Sequence, residues 1–187
     1  MQAPANDQNE AQLIERLQNP DTCRESFNEV VRKYSQQLYW QIRRMVENHD
    51  DAADLLQNTF LKAWSSIDQF RGAAKLSTWL HKIAINESIT FLANKRKRDN
   101  ISIDDEASLL INAIEADTYI DGDQLKLELR KAIAQLPEKQ RLVFNMRYYD
   151  EMKYEQISEI LGTSVGALKA SYHLAVKKLE QFFNNRD

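Results

Sequence analysis

Four glycines and three prolines are all that punctuate 187 residues, and this scarcity limits the fold more than any other feature. Tight turns and strand ends draw on those two residue types, whereas the abundant Leu, Ala, Glu, Lys and Gln enter helices at low cost. The chain is therefore expected to be all-α. With 43% apolar and 28% charged residues in 21.8 kDa, it has the balance of a globular protein and enough material for two small cores. No apolar run approaches the ~18 residues of a membrane span. The segment Met1 to Asn9 is largely polar and carries Asp7 as its only charge, unlike a secretory signal, so a cytoplasmic location is expected. Cys23 stands alone, which excludes an internal disulfide and leaves it a spectator, and His49, His81 and His173 are too scattered for metal-ligand spacing. No metal, cofactor or catalytic residue is expected.

The stretch EQISEILGTSVGALKASYHLAVKKL, from Glu155 to Leu179, has the layout of a helix-turn-helix. Ile157, Ile160 and Leu161 make one apolar stripe, Gly162 supplies a stop at positive φ, and Ser164 can cap the helix that follows. In that second helix Leu168, Tyr172, Ala175 and Leu179 recur at helical spacing, which buries their side and turns Lys169, His173, Val176 and Lys177 outward. A helix with such an outer face fits the major groove, although an ordinary hairpin in an all-α core would share its apolar pattern.

The net charge of −3 hides a strong partition. From Arg71 to Arg98 seven basic residues face one acid, Glu87, for a net of +6. From Asp99 to Asp123 there are eight acids, namely Asp99, Asp104, Asp105, Glu106, Glu115, Asp117, Asp121 and Asp123, with no Lys or Arg. From residue 124 onward eleven basic residues outweigh eight acids. This pattern predicts a helical domain over 22–98, an acidic linker over 99–123 with a short helix around Leu109 to Ile111, and a helix-turn-helix domain over 124–183.

In the first domain, Thr22 and Glu25 suggest a capping box before a helix carrying Phe27, Val30, Val31, Tyr34, Leu38 and Ile42 to Met45. Asp50 or Asp51 can cap a second helix with Leu55, Leu56, Phe60, Leu61 and Trp64 on its apolar side and Asp54, Gln57, Asn58 and Lys62 outward. A third helix is expected from about Ser77 to Lys97, with Leu80, Ile83, Ala84 and Phe91 inward and Lys82, Asn86 and Lys95, Arg96, Lys97 and Arg98 available outside. Rings beside a basic face suit single-stranded DNA, because bases stack on aromatic side chains for ~1–3 kcal/mol each while Lys and Arg follow the phosphates. Phe70, Trp79 and Phe91 are the candidate rings, with Phe70 in a loop expected to be exposed and Trp79 divided between core and platform.

The strings DDAADLLQNTFLKAWSSIDQFRG and LSTWLHKIAINES, over 50–72 and 76–88, resemble the second conserved region of bacterial sigma factors of the extracytoplasmic-function (ECF) group. LPEKQRLVFNMRYYDEMKYEQISEILG, over 136–162, with the helix after it, resembles that family's fourth region. The resemblance implies a promoter-specificity subunit of RNA polymerase. Asp54, Gln57, Asn58 and Lys62 would then dock on the clamp helices of the polymerase's largest subunit. Phe70, Arg71, Lys75, Trp79, Lys82, Asn86, Lys95, Arg96, Lys97 and Arg98 would open and read the −10 promoter element, with Asn86 near a flipped base. Ser164, Lys169, Ala170, Ser171, His173, Leu174 and Lys177 would meet the −35 element in the major groove. The acidic linker would run through the polymerase channel, and an anti-sigma factor is a possible further partner. Family members often carry an acid where Asn58 stands and are often Arg-rich where Lys169 and Ala170 stand, and lysine lacks arginine's two-pronged fit to guanine. The alternative is a free-standing helix-turn-helix regulator, which would need a ligand pocket or a symmetric interface in its N-terminal half. An enzyme would need a convergent cluster of reactive groups that the sequence does not display.

Overall fold

In the computed structural model of the protein, the described residues are 5–72, 74–99, 106–115 and 124–185. Among them run nine α-helices and no strand: α1 (Ala5–Gln18), α2 (Cys23–Val46), α3 (His49–Ser65), α4 (Leu76–Arg98), α5 (Glu106–Glu115), α6 (Gln124–Ala134), α7 (Glu138–Tyr148), α8 (Tyr154–Leu161) and α9 (Val165–Asn184). A short 3-10 turn, Ile67–Gln69, follows α3.

Helices α2, α3 and α4 pack on one another and α1 lies along α2. The three- and four-residue spacing of Phe27, Val30, Tyr34, Leu38, Ile42 and Met45 puts all six on the buried side of α2. Helix α1 is not among the helices that the sequence pattern predicts. Its Leu13 and Leu17, four apart, are 2% and 1% exposed, and its Glu10 Oε1 accepts a hydrogen bond from the Leu76 backbone N–H at 2.7 Å, fixing the start of α4.

Local capping differs from expectation at two places. Thr22 does occupy the N-cap of α2, but its Oγ1 donates to the Arg16 carbonyl at 2.8 Å instead of accepting from the helix, so the capping box does not form. Helix α3 is capped by Asn48, whose Oδ1 accepts from the Asp51 N–H at 2.9 Å, and not by Asp50 or Asp51. Those two carboxylates sit in the first turn, where they favour the positive end of the helix dipole.

In the C-terminal half α7 and α8 pack against α9, α6 lies beside α9, and α5 pairs with α6 through Leu110, Ile114, Ala134 and a Lys131–Glu115 ion pair of 2.6 Å. The helix expected around Leu109 to Ile111 is therefore α5. Of the acids expected in the linker, Asp104, Asp105, Asp117, Asp121 and Asp123 lie outside the described residues. Gly162 stops α8 at φ +64°, and Ser164 caps α9 by accepting from the Ala167 N–H at 3.3 Å, as the turn chemistry predicts.

The two halves are not independently packed. One buried apolar cluster runs from Leu38, Ile42, Leu80 and Ala84 into Val143, Met146, Met152, Ile157, Ile160 and Leu168. Helix α8 lies on α4, and α7 lies on α2.

Candidate nucleic-acid interface

The outer face of α3 is held out by the burial of its back. Leu55 is 4% exposed and Phe60 packs into the core, whereas Asp54, Gln57, Asn58 and Lys62 are all exposed. Lys62 also bonds Glu87 Oε1 on α4 at 2.5 Å, so it ties α3 to its neighbour. Two side chains assigned inward by periodicity point elsewhere: Leu61 is 59% exposed, and Trp64, although edge-on to Phe27 at 5.0 Å, is 42% exposed. Leu61 lies three residues from Asn58 and four from Gln57, so it belongs to the polar face and gives it an apolar centre. The sequence signal was present, because Ala52, Leu55, Thr59 and Ala63 already complete a buried stripe on α3 without Leu61.

The expected −10 residues divide into two groups. Phe70 is not an exposed platform. It is 6% exposed, its ring centroid lies 4.9 Å from that of partly buried Trp79, and its carbonyl accepts from Gln18 Nε2 at 3.0 Å. The cause is α1, which closes over the loop before α4. Arg71, Lys75, Lys82, Asn86, Lys97 and Arg98 are exposed. Lys95 and Arg96 are half-buried in ion pairs, Lys95 with Asp51 at 2.9 Å and Arg96 with Glu138 at 3.6 Å, so the basic cluster at the end of α4 does not face out as one unit.

On α9, Leu168, Ala175 and Leu179 are 1%, 0% and 7% exposed, and Tyr172 packs against the core. That anchoring leaves Lys169, Ala170, His173, Leu174 and Lys177 exposed and Ser171 half-buried, with Ser164 exposed at the cap. Leu174 is 48% exposed at the centre of this face. Lys169 Nζ stands 5.8 Å from the centroid of the Tyr154 ring, a cation–π contact that aims it across the start of α8. Val176, expected outward, instead packs against Phe144 and its neighbours.

No group of His, Cys, Asp or Glu among the described residues could hold a metal ion. Burial and the Asp68 carboxylate raise the Cys23 thiol above its ordinary range, the reverse of what a reactive thiolate needs.

A polar network crosses between the halves. The Arg44 guanidinium pairs with the Asp150 carboxylate, which is 2% exposed, and Gln41 Nε2 donates to the same carboxylate at 3.0 Å. Gln41 Oε1 is then left as acceptor, so His81 Nδ1, 2.7 Å away, carries the proton that it donates. Burial, with Arg44's charge adding to it, lowers the His81 pKa to about 4. A buried neutral histidine stabilises the fold fully above its unfolded pKa of ~6.5 and loses that contribution as pH falls toward the folded value, at most roughly 3 kcal/mol. Burial raises the Asp150 pKa, against the opposing influence of Arg44 and the two hydrogen bonds, so that carboxylate does not account for a loss in this window. Thermal melts at pH 7, 6, 5 and 4 should therefore show an acid loss in the wild type that is smaller in His81→Gln.

The sequence profile of Sigma-70 region 2 matches residues 30–98, and that of Sigma-70, region 4 matches 126–179. The chain is 31% identical over 173 residues to the ECF RNA polymerase sigma-E factor of Salmonella typhimurium, covering 84% of this chain and 85% of that one. It is 33% identical over 159 residues to the ECF RNA polymerase sigma factor SigW of Bacillus subtilis, covering 80% and 84%. The solved structure of the sigma factor RpoE with the anti-sigma factor NepR from Bartonella quintana shares the fold at a TM-score of 0.69, with 24% identity over 86% of this chain and 98% of that chain. CnrH in complex with the cytosolic domain of CnrY does so at 0.68, with 19% identity over 95% and 96%.

Proposed function

This chain belongs to the sigma-70 family, in its ECF group, and from that premise we infer which of its faces meet polymerase and promoter. It directs promoter-specific transcription initiation as a sigma factor. The reading of its surfaces rests on one observation: three outward faces, on α3, α4 and α9, are each held in place by a buried stripe behind them, and each carries the polar or basic residues its role requires.

The α3 face, Asp54, Gln57, Asn58 and Lys62 with Leu61 at its centre, docks on core polymerase. Arg71, Lys75, Lys82, Asn86, Lys97 and Arg98, exposed on and before α4, meet the −10 element, while Phe70 and Trp79 support them from beneath. Lys95 and Arg96 join them once their ion pairs are exchanged for phosphates. Lys169, Ala170, Ser171, His173, Leu174 and Lys177, behind the Ser164 cap, enter the major groove at the −35 element. The domains 22–98 and 124–183 carry these activities, and the acidic segment 99–123 passes between them. The factor works in the cytoplasm and supplies no catalytic chemistry of its own; no helix among the described residues is long and apolar enough to cross a membrane. One structural neighbour, the sigma factor RpoE, is in complex with the anti-sigma factor NepR, which supports a partner of that kind here.

The α9 assignment has a direct test. A good base contact in the groove is worth ~1–3 kcal/mol of discrimination, so Lys169→Ala should flatten the preference for the cognate −35 sequence in competition binding by the holoenzyme. Lys169 would be a phosphate contact instead if affinity fell equally for every −35 sequence.

A further inference from the structure

Helix α1 grips the loop before α4 at three points. Glu10, Ile14 and Gln18 recur every fourth residue and form one row along the helix, about 12 Å from first to last at ~1.5 Å per residue. Gln18 Nε2 donates to the Phe70 carbonyl at 3.0 Å. Ile14 stands against Gly72, its Cδ1 and Cγ2 each 3.8 Å from the place that a Cβ on that residue would take. Glu10 Oε1 accepts from the Leu76 N–H at 2.7 Å. The row is itself held from behind: Leu13 and Leu17 are buried, Arg16 pairs with Glu29 of α2 at 2.8 Å, and the Arg16 carbonyl takes the Thr22 hydroxyl.

The loop depends on these contacts for its shape. Gly72 turns at φ +69°, a conformation that glycine adopts at little cost but that is only one of several open to it. The N-cap of α4, Lys75, makes no side-chain cap, and the first turn of α4 contains no acid. Glu10 therefore does from α1 what a capping residue does from within a helix. It satisfies one of the N–H groups that a helix start leaves without an intrahelical partner, and it sets a negative charge at the positive end of the helix dipole. The outward side chains fall beside the grips. Arg71 lies between Phe70 and Gly72, Lys75 precedes Leu76, and both are exposed. Each of these two −10 cations is thus one residue from a backbone position that α1 fixes.

We propose that Glu10, Ile14 and Gln18 are positioning residues for promoter recognition. By fixing the backbone at Leu76, Gly72 and Phe70 they present Arg71 and Lys75 to the −10 element in one preset arrangement, and they sharpen the choice of −10 sequence from a helix that carries none of the DNA contacts itself. This role rests on the assignment of the loop and α4 to the −10 element. Its physical cause is preorganisation. A loop already ordered in its bound shape loses less conformational freedom on binding. Cations held in one place favour the strand that fits them, whereas cations on a loose loop follow the phosphates of any sequence.

The test uses holoenzyme assembled from core polymerase and the full chain. Its probe is a fluorescent single strand carrying the −10 sequence that the wild type selects from a randomised library, beside the single-base variants of that strand. Glu10→Ala with Gln18→Met removes one acceptor and one donor, and the loss of two hydrogen bonds should lower the ratio of cognate to variant affinity about tenfold. Helicity and affinity for core polymerase should stay at the wild-type level. Glu10→Gln, which keeps the acceptor, should keep the wild-type ratio. The loss should also vanish in an Arg71→Ala, Lys75→Ala background, because α1 acts through those two side chains. If the double variant does not fold, Gln18→Met alone makes the same comparison at an exposed position. A ratio that falls only together with core affinity and melting temperature, or falls equally in the Arg71→Ala, Lys75→Ala background, overturns the proposal. An unchanged ratio in the folded α1 variants, beside weakened −10 binding by Arg71→Ala with Lys75→Ala, removes the role of α1 and spares the −10 assignment. Unchanged −10 binding by Arg71→Ala with Lys75→Ala removes that assignment and the proposal with it.

Discussion

Leu61→Asp should leave the fold intact and weaken binding to core polymerase at least ~30-fold. The side chain is 59% exposed, so its replacement opens no cavity and buries no new charge in the free factor. In the complex the balance reverses. Interface energy concentrates in a few apolar or aromatic anchors near the centre of a patch, where truncation costs ~2 kcal/mol or more, and a carboxylate buried there adds an unpaired charge. Leu61 is the one large apolar side chain among Asp54, Gln57, Asn58 and Lys62, and it is the natural centre of that face. Gel filtration with core polymerase, beside a thermal melt, checks both parts. Retained core binding by a folded Leu61→Asp would move the polymerase contact off α3.

Asn86→Ala and Phe70→Ala should fail in different ways. Asn86 is exposed on α4, so its truncation should spare stability and core affinity while slowing promoter opening, and the defect should shrink on a template already melted across the −10 element. Phe70 is buried against Trp79, so Phe70→Ala should cost ~3–5 kcal/mol through the cavity it leaves, a fall in melting temperature on the order of 10 °C for a chain of this size. Permanganate reactivity of promoter thymines reports opening and scanning calorimetry reports stability. Normal opening by a folded Asn86→Ala would take Asn86 out of the −10 site.

The contrast between these two residues shows where the sequence was legible. Asn86 lies within one helix, and its exposure follows from the buried positions of Leu80, Ala84 and Ile85 on the same helix. The same logic placed Lys169 and His173 on α9, because Leu168, Tyr172, Ala175 and Leu179 define the opposite side at a spacing that nothing distant can alter. Phe70 depends instead on α1, more than fifty residues away in sequence, which closes over its loop through Gln18. Helix α1 itself was hidden by a polar composition in which Leu13, Ile14 and Leu17 are its main apolar signal. Charged residues were the least legible. Net charge along a segment does not reveal that Lys95 and Arg96 are engaged by Asp51 and Glu138 from other helices, and nothing in the spacing of Arg44 and Asp150, 106 residues apart, announces the ion pair that joins the halves.

Promoter-specific initiation is the claim on which every surface assignment depends, and transcription reconstituted in vitro tests it most directly. Core polymerase freed of its own sigma factors would be supplied with this protein and a library of promoter fragments, and the 5′ ends of the products mapped. Defined starts at a fixed distance downstream of shared −10 and −35 sequences, lost when either element is scrambled, are the predicted result. Unchanged background transcription, together with tight sequence-specific binding of the same fragments without core, would contradict the assignment and favour a free-standing regulator.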